Sequence, residues 1–275
     1  MFAMDDCLTL ALLAGIVWKA GLTAATIILV TALAERAGAT LAAILLGMPL
    51  SIGPALALLA FSHGNDFVAA SANHALSSVF GVVLFIIAYV HAAKHCGLWG
   101  CVLAGYAAWL ISALGLSQID LNFWGGLGCA ASGLLLGQLL IPRLQKPARS
   151  STPNNRPTPI RFLLVRGSLA GVVVASVVTL APLLGPALAG YFASIPVILG
   201  STAWMLASVA NKQLATATLS HADRGLLSFL AFCATVAYLT GPLSAYAALA
   251  VGLGVSIVVS LGLVMRMMRQ SYARP

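Results

Sequence analysis

Negative charge is what this chain lacks most. Only six of its 275 residues are Asp or Glu, all charged residues together make up 7%, and 61% are hydrophobic. The mean hydropathy is +1.02. A soluble domain carries about a quarter charged residues to coat its surface, so this composition excludes a water-exposed globule and makes lipid the solvent. Backbone in lipid must satisfy its own hydrogen bonds, which leaves helices or a closed barrel. The apolar runs are long and continuous rather than short and alternating, and that pattern predicts helices.

The few acids also sit in the wrong places for carboxylate chemistry. Asp5, Asp6, Glu35, Asp66, Asp120 and Asp223 all fall near the ends of apolar runs, so neither paired membrane carboxylates nor a carboxylate proton relay is expected. The GxSxG, HExxH and P-loop patterns are absent. The chain therefore reads as a non-enzyme without a cofactor. The five cysteines, Cys7, Cys96, Cys101, Cys129 and Cys233, include no CxxC pair and read as small apolar residues. His91, His95, Cys96 and Cys101 are zinc-type ligands, but Lys94 lies among them and no second Cys/His set completes a pattern, so an interfacial loop is expected rather than a metal site. The segment Met1-Phe2-Ala3-Met4-Asp5-Asp6 is acidic where a signal peptide is basic, so the first apolar run is expected to remain as a span.

What is present in abundance is spanning sequence. Nine apolar runs are long enough to cross, at about 10–33, 40–61, 74–92, 97–116, 122–141, 162–183, 187–209, 225–240 and 243–265. Turn residues separate them, among them Gly38, His63-Gly64-Asn65-Asp66, Cys96-Gly97, Ser117-Gln118-Ile119-Asp120, Gly185-Pro186 and Gly241-Pro242. The expected fold is an all-α polytopic transmembrane helix bundle. Residues 1–141 form a first membrane repeat of five spans, 142–161 a Pro/Ser/Arg-rich linker, and 162–275 a second repeat of four.

Basic residues orient it. With the N-terminus outside, Arg36, Lys94, the linker cluster from Arg143 to Arg161, Lys212, Arg224 and the tail Arg266, Arg269 and Arg274 all fall inside, and the outside loops carry no Lys or Arg. The linker and the C-terminus are then cytoplasmic. The net charge of +8 is thus a topological signal, and with no aromatic-studded basic domain nucleic acid is not expected as a partner.

The halves resemble each other at an offset of 147 residues. Lys19 matches Arg166, Gly38 matches Gly185, Pro49 matches Pro196, Gly53 matches Gly200 and His74 matches His221. About 15 of 67 positions over 19–85 are identical to their counterparts, against roughly one in eight expected from Ala and Leu richness. Five spans before the second copy turn it over, which predicts an inverted repeat, the architecture of many secondary transporters.

Three paired features are candidate solute contacts. Gly47-Met48-Pro49-Leu50-Ser51-Ile52-Gly53-Pro54 and Ser194-Ile195-Pro196-Val197-Ile198-Leu199-Gly200-Ser201 are interrupted helices, whose loosened backbone survives at membrane depth only against protein or a wet cavity. This nominates Pro49, Ser51, Gly53, Pro196, Gly200 and Ser201, although kinks that merely aid packing would look the same. His74 and His221 each begin a third helix and could gate, carry a proton or bind solute, or else serve as interfacial residues. Lys19 and Arg166 are cations within or near the ends of spans, which face inward to an anion or snorkel to the headgroups.

At these residues the chain resembles the GlpM-like and related multispanning proteins of bacteria. The resemblance is carried by Lys19, Gly38, the stretch Gly47 to Ala55, and Phe61-Ser62-His63-Gly64; the second copy keeps Gly185, Pro186, Gly190, Pro196 and Gly200 but has Ser201 where the first has Pro54. It covers about residues 15–110 well and 160–240 more loosely, and implies a multi-pass protein of the bacterial inner membrane. The function expected is transport of a small, anionic solute, with the lipid bilayer as surroundings and a homo-oligomer compatible with it. The alternative is a scaffold, assembly factor or lipid-binding subunit.

Overall fold

The computed structural model describes residues 14–29, 49, 51–141, 160–209, 211–222 and 225–272. The expectations placed on Glu35, Arg36, Gly38, the linker 142–159, Asp223, Arg224 and Arg274 lie outside them. The described residues form ten helices: α1 Ala14–Leu29, α2 Ile52–His63, α3 Asn65–Ala92, α4 Leu98–Leu116, α5 Phe123–Leu140, α6 Ile160–Ala193, α7 Val197–Val209, α8 Lys212–Leu219, α9 Leu226–Leu239 and α10 Ala245–Tyr272. Five of these, α3, α4, α5, α6 and α10, are long and apolar enough to cross a membrane, while α1, α2, α7 and α9 are shorter apolar helices. The chain is a multi-pass, all-helical membrane protein.

α3 is the hub. It packs against α2, α4, α5, α6 and α9, and most of its length is buried. Without a hydrophobic force between helices in lipid, contact comes from close van der Waals fit, which small residues permit. α5 supplies that fit: Gly126 lies against the Asn73 carbonyl, Gly133 against Phe80 and Gly137 against Val83. Of the string Gly125-Gly126-Leu127-Gly128, only Gly126 makes this approach, because Gly125 occupies the first turn capped by Asn122 (2.8 Å) and Gly128 faces open space.

α3 corrects the expected third run. It starts at Asn65, not at 74, so His74 stands in its tenth position rather than at a helix start. The polar residues Asn65, Asp66, Ser71 and Asn73 lower local hydropathy, yet Asp66 suits the positive N-terminal end of a helix and Ser71 turns inward. α6 departs in the other direction. It runs through two expected spans, but Gly185 at φ 71° breaks it into 160–184 and 186–193. Gly tolerates that left-handed backbone and Pro186 cannot continue the ladder.

α1 and the first part of α6 run antiparallel. The Ala20 carbonyl lies against Gly171, and the Ala24 carbonyl against Gly167. Elsewhere α9 and α10 join through a buried hydroxyl cluster in which Ser260 Oγ donates to Ser228 Oγ (2.8 Å), itself 2.7 Å from Ser256 Oγ.

Candidate functional site

The described half of the expected break is real. Residues 186–193 are helical, Ser194, Ile195 and Pro196 are not part of a helix, and α7 begins at Val197. A residue before proline is steered away from helical backbone, and here the chain tightens into turns: Ser194 N–H donates to Tyr191 O (2.9 Å) and Ile195 N–H to Phe192 O (3.2 Å). The helix resumes where Gly200 N–H donates to Pro196 O at 3.0 Å. The Pro196 carbonyl also accepts from Tyr106 Oη of α4 at 3.3 Å. Ser194 Oγ donates to Gly190 O at 3.0 Å. In the first copy the corresponding bond runs from Gly53 N–H to Pro49 O at 3.0 Å. Pro49 is buried; the residues just before it lie outside the described ones.

Beside the break lies a groove of about 540 Å³ walled by α4, the first part of α6 and α7. Trp99, Val102, Tyr106, Val165, Leu169, Val197 and Trp204 give it an apolar lining, and Gly200 and Ser201 face it. Gly200 is required there, since a side chain would collide with the Tyr106 hydroxyl. Arg166, almost fully buried and next in sequence to the lining residue Val165, donates from Nη2 to Thr202 Oγ1 at 2.9 Å. Phe162 and Trp204 close the same end with an edge-on ring contact of 5.0 Å.

Of the expected site residues, Gly200 and Ser201 line the groove, Pro196 lies between the lining residues Ile195 and Val197, and Arg166 bonds Thr202 next to Ser201. The structure does not bring the first copy's residues to the same place. α2, which follows Pro49 and Ser51 and contains Gly53, packs on α3, α6 and α10, whereas α7 packs on α4, α6 and α8. Ser51 is partly buried and Gly53 fully so. Lys19 is partly buried on α1, and its ammonium has no partner among the described residues. His221 lies partly buried in the turn after α8. No group of three metal-ligating side chains converges among the described residues; His91 Nδ1 instead bonds Ile87 O at 2.9 Å.

His74 is in the bundle interior. Its ring lies 5.8 Å from that of Tyr191. Ser77 Oγ donates to His74 O (2.9 Å) and bonds the Tyr191 hydroxyl. Ser71 Oγ, Asn73 Oδ1 and His74 Nδ1 are buried without a hydrogen bond. Sequence reasoning missed this belt and Tyr106, Tyr191 and Thr202. The signal was there for α3: Ser71, His74 and Ser78 recur at spacings of three and four, an inward polar stripe within an apolar helix.

No family model, curated protein or solved structure matches the chain.

Proposed function

We propose that the chain is an internally duplicated transporter of a small solute in the bacterial inner membrane, its halves related by a two-fold axis in the membrane plane. A reciprocal contact carries the reading. At the offset of 147 residues, Ala20 is equivalent to Gly167 and Ala24 to Gly171, and the pairs in contact are Ala20 with Gly171 and Ala24 with Gly167. Copies related by a two-fold axis meet in this crossed fashion. The two helices are antiparallel, so such an axis lies across them. That supports an inverted repeat, the frame in which secondary transporters place a central site between broken helices.

A second crossed pair agrees. Asn65 and Lys212 are equivalent, as are Leu98 and Ala245. Asn65 Oδ1 accepts from Ala245 N–H at 3.0 Å, and Lys212 Nζ donates to Ala93 O (2.9 Å) and Cys96 O (2.8 Å), in the turn that leads to Leu98. Lys212 thereby joins the turn bearing Lys94, while Asn65 meets a turn without basic residues, in keeping with a cytoplasmic and an outer face and with nine crossings. The solute is taken to be anionic because the buried Arg166 and the partly buried Lys19 create positive potential, and no acid sits mid-span.

Uptake of labelled small carboxylates and inorganic phosphate into liposomes containing the purified protein tests the reading; uptake above empty liposomes is expected for at least one anion. The groove favours one other reading. An apolar surface groove bearing the exposed Trp99 suits a lipid chain, so uptake of no probe together with tightly co-purifying lipid would leave a lipid-binding scaffold in its place.

A further inference from the structure

We propose that His74 is a proton-binding site inside the bundle, and that its protonation shifts the segment 186–193 against α3. The role in coupling rests on the transport reading; the proton site itself does not.

The position comes first. His74 is the tenth residue of a 28-residue helix, about 13 Å from its start at 1.5 Å per residue, so it is remote from either end. The other described histidines lie at helix ends or in turns: His63 closes α2, His91 and His95 flank the end of α3, and His221 follows α8. No Asp or Glu falls within the interior of a described helix. His74 is therefore the interior group whose charge changes most readily near neutral pH.

Its surroundings are unsatisfied in a particular way. A neutral imidazole has one donor and one acceptor nitrogen, and Nδ1 of His74 is buried with no partner. Ser71 Oγ, one turn earlier on the same face, is likewise buried and unbonded. Two orphan groups within one helical turn are a standing cost to the folded state. A proton changes this arrangement: the imidazole takes it from the aqueous side, both ring nitrogens then donate, and loss of the same proton restores the neutral ring.

The segment 186–193 and α3 are in close backbone contact here. Ser71 O lies directly against Gly190, with no space for even a Cβ. A proton needs no cavity. The ionisable groups around this part of α3 are Tyr191 on α6, Cys129 on α5 with Sγ 3.9 Å from Ser77 O, Cys233 on α9, His63 at the end of α2, and Asp120 in the α4–α5 turn. Charging the ring alters its contact with Tyr191, which sits in 186–193. That segment is held between the Gly185 break and the Ser194–Pro196 break, and residues at the ends of elements are where hinges absorb backbone change.

The test is nuclear magnetic resonance of the full chain with ¹⁵N-labelled histidine in nanodiscs, with hydrogen exchange of amides 187–193 over the same pH range. His74→Gln assigns its signal, and Ser71→Ala supplies a milder variant. The expected result is a His74 signal that passes between neutral and charged forms within the pH range over which the protein stays folded. After correction for intrinsic rates, exchange in 187–193 should change roughly tenfold with the same midpoint. Ser71→Ala should move that midpoint, and His74→Gln should remove the exchange change. A His74 signal that stays in one form throughout, or an exchange profile the same in wild type and Ser71→Ala and His74→Gln, overturns the proposal. Titration as expected, with no anion taken up by liposomes, leaves the proton site standing and removes the transport reading alone.

Discussion

The Ala20 carbonyl sits so close to Gly171 that a Cβ added there would lie 2.5 Å from it. The obstacle is backbone on the partner helix and cannot rotate away. Gly171→Ala is therefore expected to destabilise the folded protein by about 1–3 kcal/mol, read as a lower midpoint in thermal unfolding in detergent. Gly254→Ala is the control, because open space surrounds it and Ala favours a helix over Gly by about 1 kcal/mol. Equal loss in both variants would remove the tight crossing of α1 and α6.

Helical character, the spanning composition and the break at Pro196 were all legible, since each follows from a local pattern. The continuous apolar runs gave helices, and Pro with a neighbouring Gly gave the interruption. The start of α3 was not legible from hydropathy, because Ser71, Asn73 and His74 lower the average yet turn inward, and a window average does not record direction. Arg166 was read as a cation near the end of a span that faces inward or snorkels; that it is buried against Thr202, 36 residues away, nothing local announces. The offset of 147 pairs Ala20 with Gly167 and Ala24 with Gly171 by sequence alone; the contacts of Ala20 with Gly171 and of Ala24 with Gly167 appear only in the packing.

The crossed pair Asn65 and Lys212 predicts opposite sidedness. In a variant lacking the five native cysteines, Asn65→Cys should be labelled by a membrane-impermeant thiol reagent from outside intact cells. Lys212→Cys should be labelled only after the membrane is opened. Labelling of both from one side would sink the inverted repeat.

The hydroxyl cluster of Ser228, Ser256 and Ser260 holds α9 to α10. Under the proposed repeat Gly81 would correspond to Ser228, and it lies instead against Trp109 and Ser112. Hydrogen bonds between membrane helices contribute about 0.6–2 kcal/mol. Ser228→Ala should thus lower stability by about that amount, with Ser256→Ala and Ser228→Ala together costing less than the sum of the two. Strict additivity in this double-mutant cycle would show the hydroxyls to be independent.

Arg166 and Lys19 separate a structural cation from a solute-binding one. Arg166 is almost fully buried and bonded to Thr202 on α7, so removing it disturbs both packing and charge. Thr202→Val keeps the shape and removes the hydroxyl partner. Lys19 is only partly buried, so Lys19→Met keeps most of its apolar length and deletes the charge alone. If the cations attract an anion, Lys19→Met should lower uptake at least about tenfold, the equivalent of roughly 1.4 kcal/mol, with an unchanged unfolding midpoint. Arg166→Lys should keep part of the uptake and Arg166→Gln none. Thr202→Val should lower the unfolding midpoint more than it lowers uptake. Undiminished uptake in Lys19→Met, with Arg166→Gln defective only in proportion to its loss of folded protein, would assign both cations to the scaffold and withdraw the anion from the proposed substrate.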